Sequence, residues 1–251
     1  MKIFIVNLKE STGRRLKIES QLNALKLEHE FIEAVNGRLL SPDELTNSTK
    51  RINYAFLPGE VGCALSHQKI YKKMIDEGIE SALILEDDVV LCDDFCEILK
   101  KTSIPTKKPS VILLSRVNKF YKNPIKNISG QYFLHKTQHA TTTHSYIINK
   151  SGAKSLLANL HPIWMTADKW SLFEDLSWID VKSIIPHPVS LSDDASESTI
   201  NTSKNDKEID NKKKGIWETL MKRRPVLAKL KHRYRRAISP IFNKIIDQGK
   251  G

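Results

Sequence analysis

Cysteine is scarce in this 251-residue chain, which holds only Cys63, Cys92 and Cys96. An odd number without framework spacing excludes a disulfide-stapled fold and fits a reducing compartment. Cys92 and Cys96 have no second pair to complete a zinc site. Long apolar runs are also lacking, and nothing approaches the ~20 residues of a membrane-spanning helix. The opening MKIFIVNLKE has an apolar run too short for a signal peptide and meets charge at once, so a cytoplasmic location is expected. No internal repeat and no helix-turn-helix or other nucleic-acid module is found.

What is present is a globular composition, 40% hydrophobic and 27% charged, enough for one sizeable core. The net charge of +11 is unevenly placed. Residues 1–203 carry 25 basic and 24 acidic side chains, whereas residues 204–251 carry 15 and 5. The basic partner therefore belongs to the tail. Between Lys212 and Arg236 stand 11 Lys or Arg and a single acid, Glu218, with Trp217 and aliphatics interleaved. A basic amphipathic segment of this kind reads as an interfacial helix on anionic lipid. A nucleic-acid partner would match the charge but leave the apolar face unused.

Apolar runs at Ile3–Val6, Ala82–Leu85 and Val111–Leu114 predict buried strands, with further strands at His29–Ala34, Tyr132–Leu134 and Ser145–Ile148. Helical spacing is expected over residues 14–27, 59–77 (closed by Gly78) and 152–160, and Ser41-Pro42-Asp43-Glu44 marks a helix start. Alternating strands and helices predict an α/β sheet with helices on both faces. Three segments follow: a main α/β domain over 1–192, a flexible polar linker over 193–214 and a basic amphipathic tail over 215–251, divided at Pro225 and Pro240.

The most informative string is ALILEDDVVL at 82–91. Three adjacent carboxylates, Glu86, Asp87 and Asp88, at the end of a strand repel one another and call for a partner. A divalent cation with hard oxygen ligands, Mg²⁺ or Mn²⁺, supplies one; a solvated acidic turn is the alternative. Ligands gather at strand C-termini in α/β sheets, which favours the cation.

Three strings in order, PGEVGCALSHQKIYKKMIDEG at 58–78, ALILEDDVV at 82–90 and HATTTHSYIINKSGAKSLL at 139–157, resemble the bacterial lipooligosaccharide glycosyltransferases of family 25. IVNLKESTGRR at 5–15 fits that family's opening signature, an Asn-Leu pair followed by paired basic residues. The resemblance spans roughly residues 1–200. It implies a GT-A-like nucleotide-sugar-binding fold, a Rossmann-like mixed sheet with helices on both faces. It further implies a UDP-sugar donor, Mn²⁺ or Mg²⁺ on the diphosphate, inversion at the anomeric carbon, and transfer of galactose in a β-1,4 linkage to a lipid-linked lipooligosaccharide or lipopolysaccharide acceptor. The enzyme would then work at the inner face of a bacterial inner membrane, held by its tail. A non-catalytic membrane-surface protein that retains a transferase fold is the alternative.

Carried onto this sequence, the resemblance makes Asp88 and Glu86 metal ligands, with Asp87 in a catalytic role and Asp168 the general base; Asp175 competes with Asp168. For both of these last carboxylates a surface helix position is the plain alternative. Asn7, Leu8, Arg14, Arg15, Gly62, Ser66, His67, Glu86, Asp87 and Thr143 are the expected donor-binding residues. Gly59 and Gly62 at a helix start would let backbone N–H groups approach phosphate. Paired arginines at a helix start oppose the helix dipole, which favours a functional reason for Arg14 and Arg15. His67 is either a donor contact or a satisfied structural histidine. His187 is a candidate extra metal ligand. Trp164 is the preferred acceptor contact among Trp164, Trp170 and Trp178, all of which also suit a core.

Overall fold

The computed structural model describes residues 1–192 and 207–249. Its centre is formed by β1 (Lys2–Asn7), β3 (Ser81–Glu86), β5 (Ser110–Leu113) and β8 (Ser145–Asn149). These are near-continuous apolar runs because both faces of the sheet are covered. Phe4 and Ile84 enter one core with Ile70, Tyr146 and Trp170, while Ile5 and Leu85 enter the other with Ile18, Leu22 and Phe95. Successive strand residues thus serve opposite cores, the two-residue period of an extended chain.

With β2 (Glu30–Glu33), β6 (Lys119–Ser129), β7 (Tyr132–His139), β9 (Asp180–Ile185) and β11 (Ile245–Asp247), these strands form one sheet in the order β11-β6-β7-β9-β5-β8-β3-β1-β2. β1 runs parallel to β2 and β3, and β5 parallel to β9, whereas β8 lies antiparallel between β3 and β5. The sheet is mixed, with helices on both faces, as the sequence led us to expect. A separate ribbon pairs β4 (Val89–Leu91) with β10 (Val189–Leu191). α2 (Pro42–Ser48) starts at Ser41 with a full Ser41/Glu44 capping box. α3 (Pro58–Asp76) ends before Gly78, whose φ of +69° fits the left-handed turn glycine adopts readily.

Some expectations shift. α1 covers Thr12–Ala24 rather than 14–27, and it buries Ile18 and Leu22 while Leu16 is 66% exposed. β6 escapes the sequence pattern because residues 122–127 are exposed, include Pro124, and pair with β7 through several register shifts.

The largest correction concerns the C-terminal segment. Of the expected linker, residues 193–206 lie outside the described residues, but 207–214 belong to α7 (Lys207–Lys222). Nor is the remainder a detached tail. Trp217, Leu220 and Met221 pack against the main core, Lys213 pairs with Glu60, and β11 joins β6 at the sheet edge. Charge had disguised a helix whose apolar side is part of the domain. Pro225 does separate α7 from α8 (Val226–Arg233), but Pro240 does not break the chain. A π-helical stretch, Tyr234–Ile238, leads into α9 (Ser239–Phe242), and its wider turn makes room for the ring of Pro240.

Candidate active site

The parallel register of β1 and β3 pairs Val6 with Glu86, so the ends of both strands open into one cavity of about 900 Å³. Asn7, the last residue of β1, donates from Nδ2 to Asp87 Oδ2 at 2.7 Å and to the Ser11 carbonyl at 3.1 Å. One turn into α1, Arg14 Nη1 stands 3.6 Å from Asp87 and 4.0 Å from Asp88. On the other side, β8 runs antiparallel to β3, and the Leu85↔Ser145 pairing brings residues 143 and 144 beside Glu86. Thr143 Oγ1 donates to Glu86 Oε1 at 2.5 Å, and His144 Nδ1 meets Glu86 Oε2 at 3.1 Å.

These partners divide the three carboxylates electrostatically. Burial disfavours the charge of Glu86, but the hydrogen bond from His144 and the close approach of His67 more than reverse this, holding its pKa well below the usual range. Burial raises Asp87, and Asn7 and Arg14 offset this only in part. Burial likewise works against charge on His144, yet Asp88 and Glu86 push its pKa up to about 10. The ring therefore acts as the resident cation of the cluster.

The raised His144 contributes stability that is fully present below its ordinary 6.5 and is lost as pH climbs toward about 10. The depressed Glu86 contributes stability that is present above its ordinary 4.5 and lost in acid. In metal-free buffer the melting temperature should therefore peak between about pH 4.5 and 6.5 and decline toward pH 10. His144→Gln should flatten the alkaline decline; an equally steep decline in that variant refutes the assignment.

Glu86, Asp88 and His144 also fit a divalent cation. Their ligand atoms lie within 4.8 Å of one another, and Asp88 Oδ1 is buried without any hydrogen-bond partner. Two carboxylates and an imidazole form a donor set for a divalent cation, the carboxylate oxygens being the part that suits Mn²⁺ or Mg²⁺. The neighbouring group Cys63, His67 and Glu86 is a poorer host. Burial, followed by the fields of Glu86 and Asp168, pushes the Cys63 thiol well up and keeps it protonated.

Residues 1–171 match the family model described as "Glycosyltransferase family 25 (LPS biosynthesis protein)". The chain belongs to glycosyltransferase family 25. Human procollagen galactosyltransferase 2 is 29% identical over 173 residues, 62% of this chain and 27% of that protein. A rat relative named "Probable inactive glycosyltransferase 25 family member 3" is 28% identical over 177 residues, 63% of this chain and 30% of that protein. The chain thus matches under a third of the length of these relatives. A crystal structure of a glycosyltransferase involved in the glycosylation of the major capsid of PBCV-1 aligns over 63% of this chain and 65% of that one, with 11% identity and a TM-score of 0.33.

Within this family 25 chain the structure gathers most of the expected site residues but reassigns several. Leu8, Arg14, His67, Glu86, Asp87 and Asp88 line the cavity, while Asn7 and Thr143 act behind it by holding Asp87 and Glu86. Arg15, about 100° round the helix from Arg14, instead places its guanidinium 3.8 Å over the Phe31 ring. Gly62 is buried against the 35–37 turn, and a Cβ there would sit 2.4 Å from the Val35 carbonyl oxygen. Its role is backbone packing rather than phosphate contact. Ser66 is committed too, donating to the Gly62 carbonyl at 2.7 Å and accepting from Val35 N–H at 2.8 Å. His67 is 1% exposed; Nδ1 bonds Tyr146 Oη at 2.7 Å, and Nε2 points at Glu86 from 3.6 Å with no hydrogen-bond partner.

His187 lies away from the carboxylates, bonded through Nε2 to Gln248 at 2.9 Å. The imidazole at the cluster is His144, which sequence reasoning passed over although it directly follows the threonine run. Trp164 is not among the residues that line the carboxylate cavity: its Nε1 donates to the Asn159 carbonyl and its ring meets Trp178 edge-on at 5.9 Å. Trp170 is fully buried and donates to the Thr142 carbonyl at 2.6 Å, which steadies the threonine loop. Asp168 precedes α6 (Trp170–Asp175) rather than lying on it, and accepts from Thr166 Oγ1 at 2.5 Å and Lys169 Nζ at 3.2 Å. Asp175 is taken up by Arg235 and His232 and is not available as a base.

Proposed function

We propose that this chain is an inverting hexosyltransferase that moves galactose in a β linkage from UDP-galactose to a lipid-linked saccharide of the lipooligosaccharide type. The single observation that carries the reading is the Glu86, Asp88 and His144 cluster, with its unpartnered buried Asp88 oxygen, at the mouth of the parallel β1–β3 pair. A Mn²⁺ or Mg²⁺ held there by Asp88 and Glu86 would neutralise a diphosphate and stabilise the charge that develops on it as it departs.

The protein's own groups supply the rest. Arg14 adds a fixed positive charge beside the diphosphate position. Asn7 and Thr143 fix the orientation of Asp87 and Glu86, so that little reorganisation is needed when charge shifts. In a single displacement the acceptor hydroxyl attacks the anomeric carbon, the bond to UDP breaks with its electron pair on the β-phosphate, and a carboxylate takes the hydroxyl proton. Asp168 is our assignment for that base. It lies close enough to the cavity for its field to raise Cys63 on the cavity wall, and Lys169 and Thr166 hold it in place.

UDP release from UDP-galactose, UDP-glucose and UDP-N-acetylhexosamines, with and without Mn²⁺ and a saccharide acceptor, tests this. Metal-dependent release with UDP-galactose supports the proposal. A folded protein that binds UDP but releases none from any donor supports the second reading, a non-catalytic binding protein, which one observation favours: the rat relative is named "Probable inactive".

We further propose a peripheral membrane location. No described helix is long and apolar enough to cross a membrane. However, Leu227, Leu230, Tyr234, Ile238 and Ile241 are exposed at spacings of three or four residues, with Lys229, Lys231, Arg233 and Arg236 among them. Such a stripe suits an anionic lipid surface. Because α7 and β11 are part of the fold, truncation is a poor test, and point changes on the exposed stripe are better. Leu227→Ser/Leu230→Ser/Ile241→Ser should retain its melting temperature and lose sedimentation with vesicles containing phosphatidylglycerol. Undiminished sedimentation sinks the idea.

A further inference from the structure

A second cavity, of about 670 Å³, lies between the C-terminal helices and the sheet, and Thr141 lines both it and the carboxylate cavity. Its walls carry five Lys or Arg side chains, Lys119, Lys169, Arg224, Arg235 and Arg236, against two carboxylates, Asp175 and Asp247. Both carboxylates are spoken for: Arg235 engages Asp175 and Lys119 engages Asp247, each at 2.6 Å. Lys169 leans on Asp168 at 3.2 Å. Arg224 donates only to the Met221 carbonyl, at 3.2 Å, and neither it nor Arg236 has a carboxylate partner among the described residues.

The excess positive charge is felt on the wall itself. Burial lowers the pKa of His139, and Arg235, Lys119, Lys169 and Arg236 lower it further. Trp217 adds an aromatic surface suited to a sugar ring. Low-dielectric walls of one sign concentrate a counter-charge, and planar guanidinium groups match phosphate oxygens in pairs.

We infer that this cavity is an acceptor subsite for a phosphate group, held by Arg224 and Arg236, with the saccharide extending past Thr141 toward the reacting centre. The acceptor is then a phosphate-bearing saccharide, whether the phosphate sits on a sugar or on a lipid headgroup. This rests on the glycosyltransferase reading for its purpose, but the binding site is testable apart from it.

Calorimetric titration of the full chain with galactose 6-phosphate, glycerol 3-phosphate, galactose and UDP decides the matter. Arg224→Gln/Arg236→Gln should weaken binding of the two phosphates by about tenfold or more and leave UDP affinity unchanged, whereas Arg14→Gln should do the reverse. Because neither arginine holds a carboxylate, the double variant should keep the parent melting temperature. Tighter binding of galactose 6-phosphate than of glycerol 3-phosphate places the phosphate on sugar, equal binding places it on a headgroup, and either upholds the subsite. Unchanged phosphate affinity in the double variant, or galactose binding as tightly as its phosphate, overturns it. Failure of UDP to bind at all would strike the transferase reading while leaving the phosphate titrations to decide this one.

Discussion

Asp88→Asn is expected to lower the turnover number of UDP-galactose transfer by about 10²–10³-fold, the usual cost of removing one group that stabilises developing charge. The substitution keeps the shape of the side chain and takes away its charge and one acceptor oxygen. In the folded protein Asp88 Oδ1 has no hydrogen-bond partner, so little native bonding is lost. Asp88 and Glu86 also raise the pKa of Asp87 by repulsion, so removing the Asp88 charge relieves a like-charge contact. Asp88 also supports the His144 cation and stands 4.0 Å from Arg14, so relief and loss oppose one another and stability should change little while turnover collapses. Steady-state kinetics over a Mn²⁺ series, with thermal melts on the same samples, checks both halves. A variant that turns over normally removes Asp88 from the reaction, and one that loses activity only by unfolding makes the cluster structural.

The contrast with Asn7 and Thr143 shows which parts of the site were legible in sequence. The acidic triplet and the Asn-Leu opening could be read because consecutive residues at a strand end must emerge together, whatever the rest of the fold does. His144 was not legible as part of that site. Its place beside Glu86 depends on β8 inserting antiparallel between β3 and β5, a pairing between residues about 60 positions apart that no local period reports. Ser66 and Gly62 erred in the opposite direction. They sit in the matching motif, but the Ser66 hydroxyl bonds Val35 N–H and the Gly62 carbonyl, and the Gly62 backbone packs on Val35 and Gly37, because α3 approaches the 35–37 turn at backbone distance. The motif there packs α3 against the turn, and Gly59 and Ser66 still line the cavity.

The same limit explains the C-terminal segment. Charge density marked it as a tail, and helical spacing marked its apolar side, but spacing does not say whether that side meets lipid or protein. The structure divides it by position. Trp217, Leu220 and Met221 face the core, while Leu227, Leu230 and Ile241 face outward. The lipid stripe and the phosphate subsite thus share the C-terminal segment, which runs from α7 to α9. A phosphate-bearing acceptor rising from a membrane would meet both.

The residue that locks this segment in place should give a large stability effect. Asp175 is 3% exposed and receives Arg235 Nε at 3.0 Å, Arg235 Nη2 at 2.6 Å and His232 Nδ1 at 3.1 Å. Arg235 also donates to the Gln138 carbonyl at 2.9 Å, and Gln138 Nε2 returns a bond to the Arg235 carbonyl at 3.1 Å. Asp175→Asn leaves the guanidinium, itself 12% exposed, without its counter-charge. Removing one partner of a buried pair typically costs about 3–5 kcal/mol, which urea denaturation would register as a lower midpoint. Asp175→Leu/Arg235→Met should recover much of that loss, since a buried pair replaced by apolar groups of similar size is often near neutral. If Asp175 served instead as the base, the double variant would regain stability and remain without turnover; recovery of both assigns it to the latch and leaves Asp168 with the proton.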